Sequence, residues 1–63
     1  MEPDEVKIRK IFFWMGVKER YDNGVTNDDV MREFGSSFTS AWNKLKARKK
    51  IMFFENGRWF RWN

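Results

Sequence analysis

A run of polar and basic side chains in the second half of the chain is the part best suited to bind a polyanion. Hydroxyl and amide groups donate and accept hydrogen bonds at base edges, and lysine and arginine hold phosphates. Residues 36–63 carry seven basic residues and one acidic residue, whereas residues 1–35 carry six basic and eight acidic residues. This uneven distribution within a net charge of +4 is typical of a nucleic-acid-binding protein.

The candidate binding residues divide by chemistry. Small and hydrogen-bonding side chains would face the bases or meet a phosphate at a helix N-terminus: Ser36, Ser37, Thr39, Ser40, Asn43 and Ala47. Lysines would approach the groove or hold phosphates: Lys44, Lys46, Lys49 and Lys50. Three residues would act from a C-terminal hairpin: Arg58, Trp59 and Arg61. The alternative for each group is a solvated surface, or a cross-strand aromatic pair in the case of Trp59.

A helix over residues 37–49 must position the first two groups. Projected at 100° per residue, one face carries Phe38, Ala41, Trp42 and Leu45 and would pack into a core. The opposite face carries the small polar residues. We therefore expect this helix to expose its polar face to a partner.

Asn56-Gly57 lies between two apolar runs and predicts a hairpin with strands at 51–55 and 58–62. A two-residue turn would pair Phe54 with Trp59 and Phe53 with Phe60. Alternation then predicts that the core face holds Ile51, Phe53, Phe60 and Trp62. Phe54 and Trp59 would lie at least partly exposed on the other face, where they could also stack on unpaired bases.

Two further helices are predicted upstream, at about 4–20 and 27–34. The first has an apolar stripe, Ile8, Ile11, Phe12 and Met15, for the core. A second apolar set on that helix, Val6, Phe13 and Val17 with Trp14 beside it, would either contact the hairpin or form a homodimer interface. In the second helix Thr26 and Asp29 predict a capping box, with Val25 and Val30 as a hydrophobic staple.

The order helix, short helix, helix, hairpin resembles the winged helix-turn-helix superfamily over about residues 6–62. The residues that carry the resemblance are Ile8-x-x-Ile11-Phe12-x-x-Met15, Val25-Thr26, the Phe34-Gly35-Ser36-Ser37 turn, and Leu45 six residues before Ile51. The resemblance implies a mainly α fold, three helices with a small β-hairpin, in which the third helix enters the DNA major groove. Lys49 and Lys50 stand where the superfamily often has glycine, so we expect one of them in a left-handed conformation.

Composition excludes several classes of function. The chain has no histidine and no cysteine, and it has no glycine-rich phosphate loop, so we expect neither an enzyme nor a metal or other cofactor. No apolar run is long enough for a membrane span, and the N-terminus lacks the pattern of a signal peptide. We expect a single domain over residues 1–63 located in the cytoplasm, with the nucleoid if the source is prokaryotic or viral.

The sequence therefore predicts a transcriptional regulator that binds double-stranded DNA through the third helix and a basic, aromatic hairpin. Two alternatives stay open. The protein could be an interaction module of a larger complex, or it could bind RNA or single strands through the hairpin aromatics Phe54 and Trp59.

Overall fold

The computed structural model describes residues 2–62 and shows three helices followed by a two-stranded antiparallel hairpin. Helix α1 spans Asp4–Tyr21, α2 spans Asn27–Phe34, and α3 spans Thr39–Ala47. A 3₁₀ turn at Ser36–Phe38 leads into α3. Strands β1 (Ile51–Phe53) and β2 (Trp59–Arg61) complete the small, mainly helical fold that the sequence predicts at this coarse level.

Local sequence signals account for the helix boundaries. Pro3 precedes α1 with an extended backbone, and Asp4 and Glu5 occupy the first turn, where acidic side chains favour the positive end of the helix dipole. The capping box is confirmed: the Asp29 amide donates to Thr26 Oγ1 and the Thr26 amide donates to Asp29 Oδ2, both at 3.0 Å. Gly35, with φ of 86°, ends α2.

The third helix is shorter than its predicted range. Residues 36–38 form the 3₁₀ turn, and the α-helix ends at Ala47 rather than near residue 49. Lys49 has φ of 58°, so the expected left-handed residue is confirmed at this position. The chain therefore reverses immediately after the helix and enters β1 two residues later.

The hairpin register differs by one residue from the prediction. Phe53 pairs with Trp59, Met52 with Phe60, and Ile51 with Arg61. The Phe54 amide donates to the Arg58 carbonyl at 2.9 Å, which leaves a three-residue loop closed by Gly57 at φ of 80°. Asn56-Gly57 thus lies in a three-residue loop, the most common hairpin connection after the two-residue loop. Both strands are shorter than the predicted 51–55 and 58–62.

This one-residue shift moves every β2 side chain to the opposite face of the hairpin. Trp59 now shares the face of Ile51 and packs edge-to-face on Trp42, with ring centroids 5.9 Å apart. The predicted core residues Phe53 and Trp62 are instead 60% and 57% exposed. Ile51 is buried as predicted, and the pairing of Phe54 with Trp59 is wrong.

One hydrophobic core joins all three helices to the hairpin. The predicted α1 stripe supplies its centre, with Phe12 packed half-buried at the edge. The buried members are Ile8, Ile11, Met15, Val25, Val30, Ala41, Trp42, Leu45 and Ile51. Val25, between α1 and α2, also forms an antiparallel bridge with Trp59, which attaches the hairpin to the helices.

No helix in residues 2–62 combines the length and the apolar character needed to cross a lipid bilayer.

Candidate nucleic-acid interface

The outer face of α3 presents a continuous surface of small polar residues. Seven of the predicted site residues line one shallow, open depression: Ser36, Ser37, Thr39, Ser40, Asn43, Lys44 and Ala47. All seven side chains are exposed, because the apolar face of α3 turns Ala41, Trp42 and Leu45 into the core. The structure therefore brings this part of the predicted site together on one surface.

The N-terminal part of this surface is held by α1. Lys7 Nζ donates to the Ser37 carbonyl at 2.9 Å and lies 5.4 Å from the centre of the Phe38 ring. Ser40 Oγ donates to Asp4 Oδ2 at 2.9 Å. These contacts fix the first turn of α3 against the first turn of α1, and they place one cation that the sequence analysis did not select, Lys7, beside the predicted surface.

Two cations, Lys44 of α3 and Arg48 directly after that helix, are paired with acidic residues of α1. Lys44 Nζ lies 2.8 Å from Asp4 Oδ2, and Arg48 makes a two-pronged ion pair with Glu5. The hydrogen bond from Lys44 lowers the pKa of Asp4, and that from Arg48 lowers the pKa of Glu5. The basic cluster and the acidic half of the chain are separate along the sequence, but the fold brings the two into contact.

The remaining lysines, Lys46 in α3 and Lys49 and Lys50 after it, differ in their surroundings. Lys46 is half-buried and lies over the rings of Trp42 and Trp59, at 5.5 and 6.0 Å from their centroids. Lys49 and Lys50 are exposed and form no ion pair within residues 2–62. Lys46 also forms no ion pair among these residues, so these three lysines are the cations of the predicted site that need break no ion pair to bind a phosphate.

Both hairpin arginines contact the helical part of the fold. Arg58 Nη1 donates to the Gly24 carbonyl at 3.2 Å and lies 3.8 Å from Asp29 Oδ2 at the start of α2. Arg61 crosses α1 at Gly16, where an added Cβ would lie 2.5 Å from its guanidinium. Its Nε lies 3.6 Å from Glu19 Oε2. Both arginines fasten the hairpin to the helices because β2 packs against α1 and the Gly24–Val25 segment.

The aromatic residues of the hairpin also exchange roles relative to the prediction. Trp59 is half-buried, packed against Trp42 and Phe53, and its Nε1 is buried without a hydrogen-bond partner among residues 2–62. Phe53 is the hairpin phenylalanine with the largest exposed fraction, 60%, against 43% for Phe54. These differences follow from the one-residue shift in register, which the Asn56-Gly57 motif alone does not reveal.

Comparison of the chain with protein-family models, with curated proteins and with solved structures finds no match. Within residues 2–62, no three acidic, histidine or cysteine side chains come together in a way that would hold a metal ion.

Proposed function

We propose that this protein is a winged helix-turn-helix regulator of transcription that binds double-stranded DNA by inserting α3 into the major groove. The observation that carries the proposal is the solvent-exposed outer face of α3 and of the turn before it, where seven mostly polar residues form a single surface. A helix with its side chains is about 10–12 Å across, and the major groove is about 12 Å wide. Asn43 and Ser40 are the residues suited to hydrogen-bond base edges.

The arrangement of elements supports the winged-helix assignment. Gly35 caps the end of α2, and α3 follows after one 3₁₀ turn. Two helices joined by a short turn that contains glycine are typical of a helix-turn-helix. The hairpin follows α3 without a linker, and the Val25–Trp59 bridge adds a third, single-residue member to its edge. In this proposal the hairpin is the wing. The proposal also implies a cytoplasmic protein, associated with the nucleoid if the source is prokaryotic or viral.

Phosphate binding is assigned to the cations beside the α3 face. Lys49 and Lys50 are exposed and unpaired within residues 2–62, and Lys46 lies over the rings of Trp42 and Trp59. Arg58 and Arg61 hold the hairpin in place, so their contribution to DNA affinity is indirect. Each phosphate contact makes the slope of log K against log salt concentration more negative by about 0.9.

Charge reversal tests this assignment. Lys49→Glu with Lys50→Glu should lower the salt slope by about 1.8 and weaken binding to duplex DNA at every salt concentration. Arg9→Glu with Arg20→Glu is the matched control, because it makes the same change in net charge on exposed cations of α1 that form no ion pair with residues 2–62. Equal losses from the two double variants would show that only net charge matters, and would contradict the proposed contact surface.

A homodimer is proposed as the DNA-binding form, because one helix reads few bases and two half-sites multiply specificity. Phe13, Val17 and Tyr21 are 73%, 42% and 78% exposed and follow one another at helical spacing along α1. Of the other two residues predicted for the interface, Val6 is half-buried and Trp14 packs edge-to-face on Phe34. Light scattering at micromolar concentration tests the dimer, and a monomer under these conditions rules it out.

Binding to RNA or single strands is a second candidate function, favoured by the exposed ring of Phe53. This ring packs against Trp59, which lies beneath Lys46, so an aromatic surface and a cation are adjacent. If this candidate is correct, Phe53→Ala should weaken binding to a single-stranded oligonucleotide far more than Asn43→Ala does. The opposite order, measured on duplex DNA, would favour the major-groove proposal.

A protein-interaction module is the remaining candidate, favoured by the same exposed apolar residues of α1 and by Trp62. In that case Phe13→Asp should disrupt complex formation while Lys49→Glu with Lys50→Glu should leave it intact.

A further inference from the structure

A cleft of about 470 Å³ lies between α1, the end of α3 and the last residues of the hairpin. It shares no lining residue with the depression on the outer face of α3. Its lining combines four apolar residues, Ile8, Phe12, Phe13 and Leu45, with four cations, Arg9, Arg48, Lys50 and Arg61. Among residues 2–62, Glu5 is the single acidic residue of the lining, so the described walls carry a net charge of +3.

The four cations are not equivalent. Arg48 is held by Glu5 through its two-pronged ion pair, which lowers the pKa of Glu5 and raises that of Arg48. Arg61 is oriented by Glu19 and lies with its guanidinium 5.1 Å from the centre of the Phe12 ring. Arg9 and Lys50 have no carboxylate partner within residues 2–62. Two cations at this cleft therefore remain available to an anion from solution.

The apolar residues determine what kind of anion would fit. Ile8 and Leu45 are buried at the cleft, Phe12 is half-buried, and the Phe13 ring is 73% exposed at its edge. A bare inorganic anion would use the cations and leave this apolar surface uncovered. An anion with a hydrophobic body would cover it, and burying apolar area contributes about 25 cal/mol per Å². The volume also lies in the range of about 300–1,000 Å³ found for small-molecule sites.

We propose that this cleft binds a small organic anion, an aromatic monocarboxylate, with its ring against Phe12 and Phe13 and its carboxylate between Arg9 and Lys50. The carboxylate complements the two unpaired cations, and the ring complements the apolar lining. This site goes beyond DNA binding, and it would compete with the proposed dimer for the Phe13 ring. Lys50 lines the cleft and is also one of the cations assigned to phosphate, so an occupied cleft would neutralise it.

The test is an NMR titration of the ¹⁵N-labelled protein alone with 2-naphthoate. We expect saturable shifts confined to the amides of Ile8, Phe12, Leu45 and Arg48, with Ser40 and Asn43 unchanged, and a dissociation constant at or below about 1 mM. The neutral analogue 2-naphthylmethanol should bind at least about tenfold more weakly, because it lacks the charge that the two cations recognise. Inorganic phosphate should give no saturable shift at the same residues.

Two variants and a control complete the experiment. Arg9→Gln should weaken 2-naphthoate binding at least about fivefold, as expected for loss of a charge-assisted contact. Phe13→Ser, at an exposed position outside the core, should weaken it through loss of ring contact. Arg20→Gln removes an unpaired cation of the same helix that does not line the cleft, and should change the dissociation constant less than twofold. Chemical shift dispersion confirms that each variant is folded.

The proposal is overturned if 2-naphthylmethanol or phosphate binds as well as 2-naphthoate, if the shifts spread over the whole protein, or if Arg9→Gln and Arg20→Gln behave alike. Because no DNA is present in the titration, its failure would leave the DNA-binding proposal untouched.

Discussion

Lys44 Nζ lies 2.8 Å from Asp4 Oδ2, so a cation on the exposed face of α3 is paired with the first turn of α1. Asp4 also accepts a hydrogen bond from Ser40 Oγ, one turn earlier on the same face. One carboxylate therefore holds two of the residues assigned to DNA. Binding a phosphate or base edge through either residue requires these contacts to be exchanged, which lowers the net gain from Lys44.

Replacing Asp4 by asparagine should release Lys44 for phosphate. We expect tighter duplex binding and a salt slope that is steeper by about 0.9, equivalent to one added contact. Asp22→Asn is the matched control, because Asp22 is an exposed acid paired with a lysine of α1, Lys18, at the other end of that helix. Fluorescence anisotropy across a salt series measures both variants. A slope unchanged by Asp4→Asn, or raised equally by Asp22→Asn, would show that Lys44 does not reach a phosphate.

Lys49 should be a position where stability and DNA binding oppose each other. Its φ of 58° is unfavourable for a residue with a Cβ, and glycine relieves about 1 kcal/mol of this cost. Lys49→Gly should therefore raise the melting temperature by about 4–8 °C. It should also flatten the salt slope by about 0.9, because one phosphate contact is lost.

Lys50→Gly is the control for that substitution, since it removes the same charge beside Lys49 but from a residue without a positive φ. It should flatten the salt slope without raising the melting temperature. A melting temperature that rises equally in both variants would refute the backbone explanation.

Two tryptophans of the core should respond differently to the same substitution. Trp42 Nε1 donates to Asn27 Oδ1 at 2.8 Å, whereas Trp59 Nε1 is buried without a partner among residues 2–62. Trp42→Phe loses a hydrogen bond as well as packing, and Trp59→Phe removes an unsatisfied donor. We expect Trp42→Phe to lower the free energy of unfolding by about 1–2 kcal/mol more than Trp59→Phe does. Urea denaturation of both variants measures the difference, and equal costs would contradict it.

The capping box of α2 should make stability depend on acidic pH. The hydrogen bond from the Thr26 amide lowers the pKa of Asp29 below its ordinary value of 3.8. A depressed folded-state pKa stabilises the protein above the unfolded pKa, and this contribution is lost as pH falls through the folded value. At neutral pH, Asp29→Ala should therefore cost about 1 kcal/mol, and the difference from the wild type should shrink as pH falls below 3.8.

Asp28→Ala serves as its control. Asp28 lies in the same first turn and is exposed, but it takes no part in the capping box. Its replacement should cost only about 0.3 kcal/mol, from the helix dipole. Denaturation at a series of pH values checks both variants. An Asp29→Ala cost that stays constant from neutral to strongly acidic pH would be inconsistent with a charged Asp29 in the cap.

Signals confined to a few neighbouring residues were sufficient to predict much of this fold. The Thr26–Asp29 capping box, the end of α2 at Gly35 and the left-handed residue near Lys49 each depend on local backbone geometry. The α1 core stripe follows from helical spacing, since apolar residues three and four positions apart share one face of a helix and that face packs into the core. These features are properties of short segments, so the sequence contains the information needed to predict them.

The features that were predicted wrongly depend on contacts between distant segments. Asn56-Gly57 is compatible with a two-residue or a three-residue loop, and the packing of Trp59 on Trp42 is available only in the register of the three-residue loop. Likewise, the pairing of Lys44 with Asp4 joins residues 40 positions apart. The composition gave the amount of basic charge, but the fold determines how much of it remains unpaired.

Titration of a random-sequence duplex of roughly 30 base pairs with the purified wild-type protein tests the central claim most directly, since such a duplex spans several turns of about 10 base pairs. Fluorescence anisotropy would follow binding across a salt series. The proposed surface predicts binding that weakens steeply with salt, with a slope near −0.9 for each phosphate contacted. A folded sample that shows no binding at low salt would contradict the proposal that the α3 face is a DNA-binding surface.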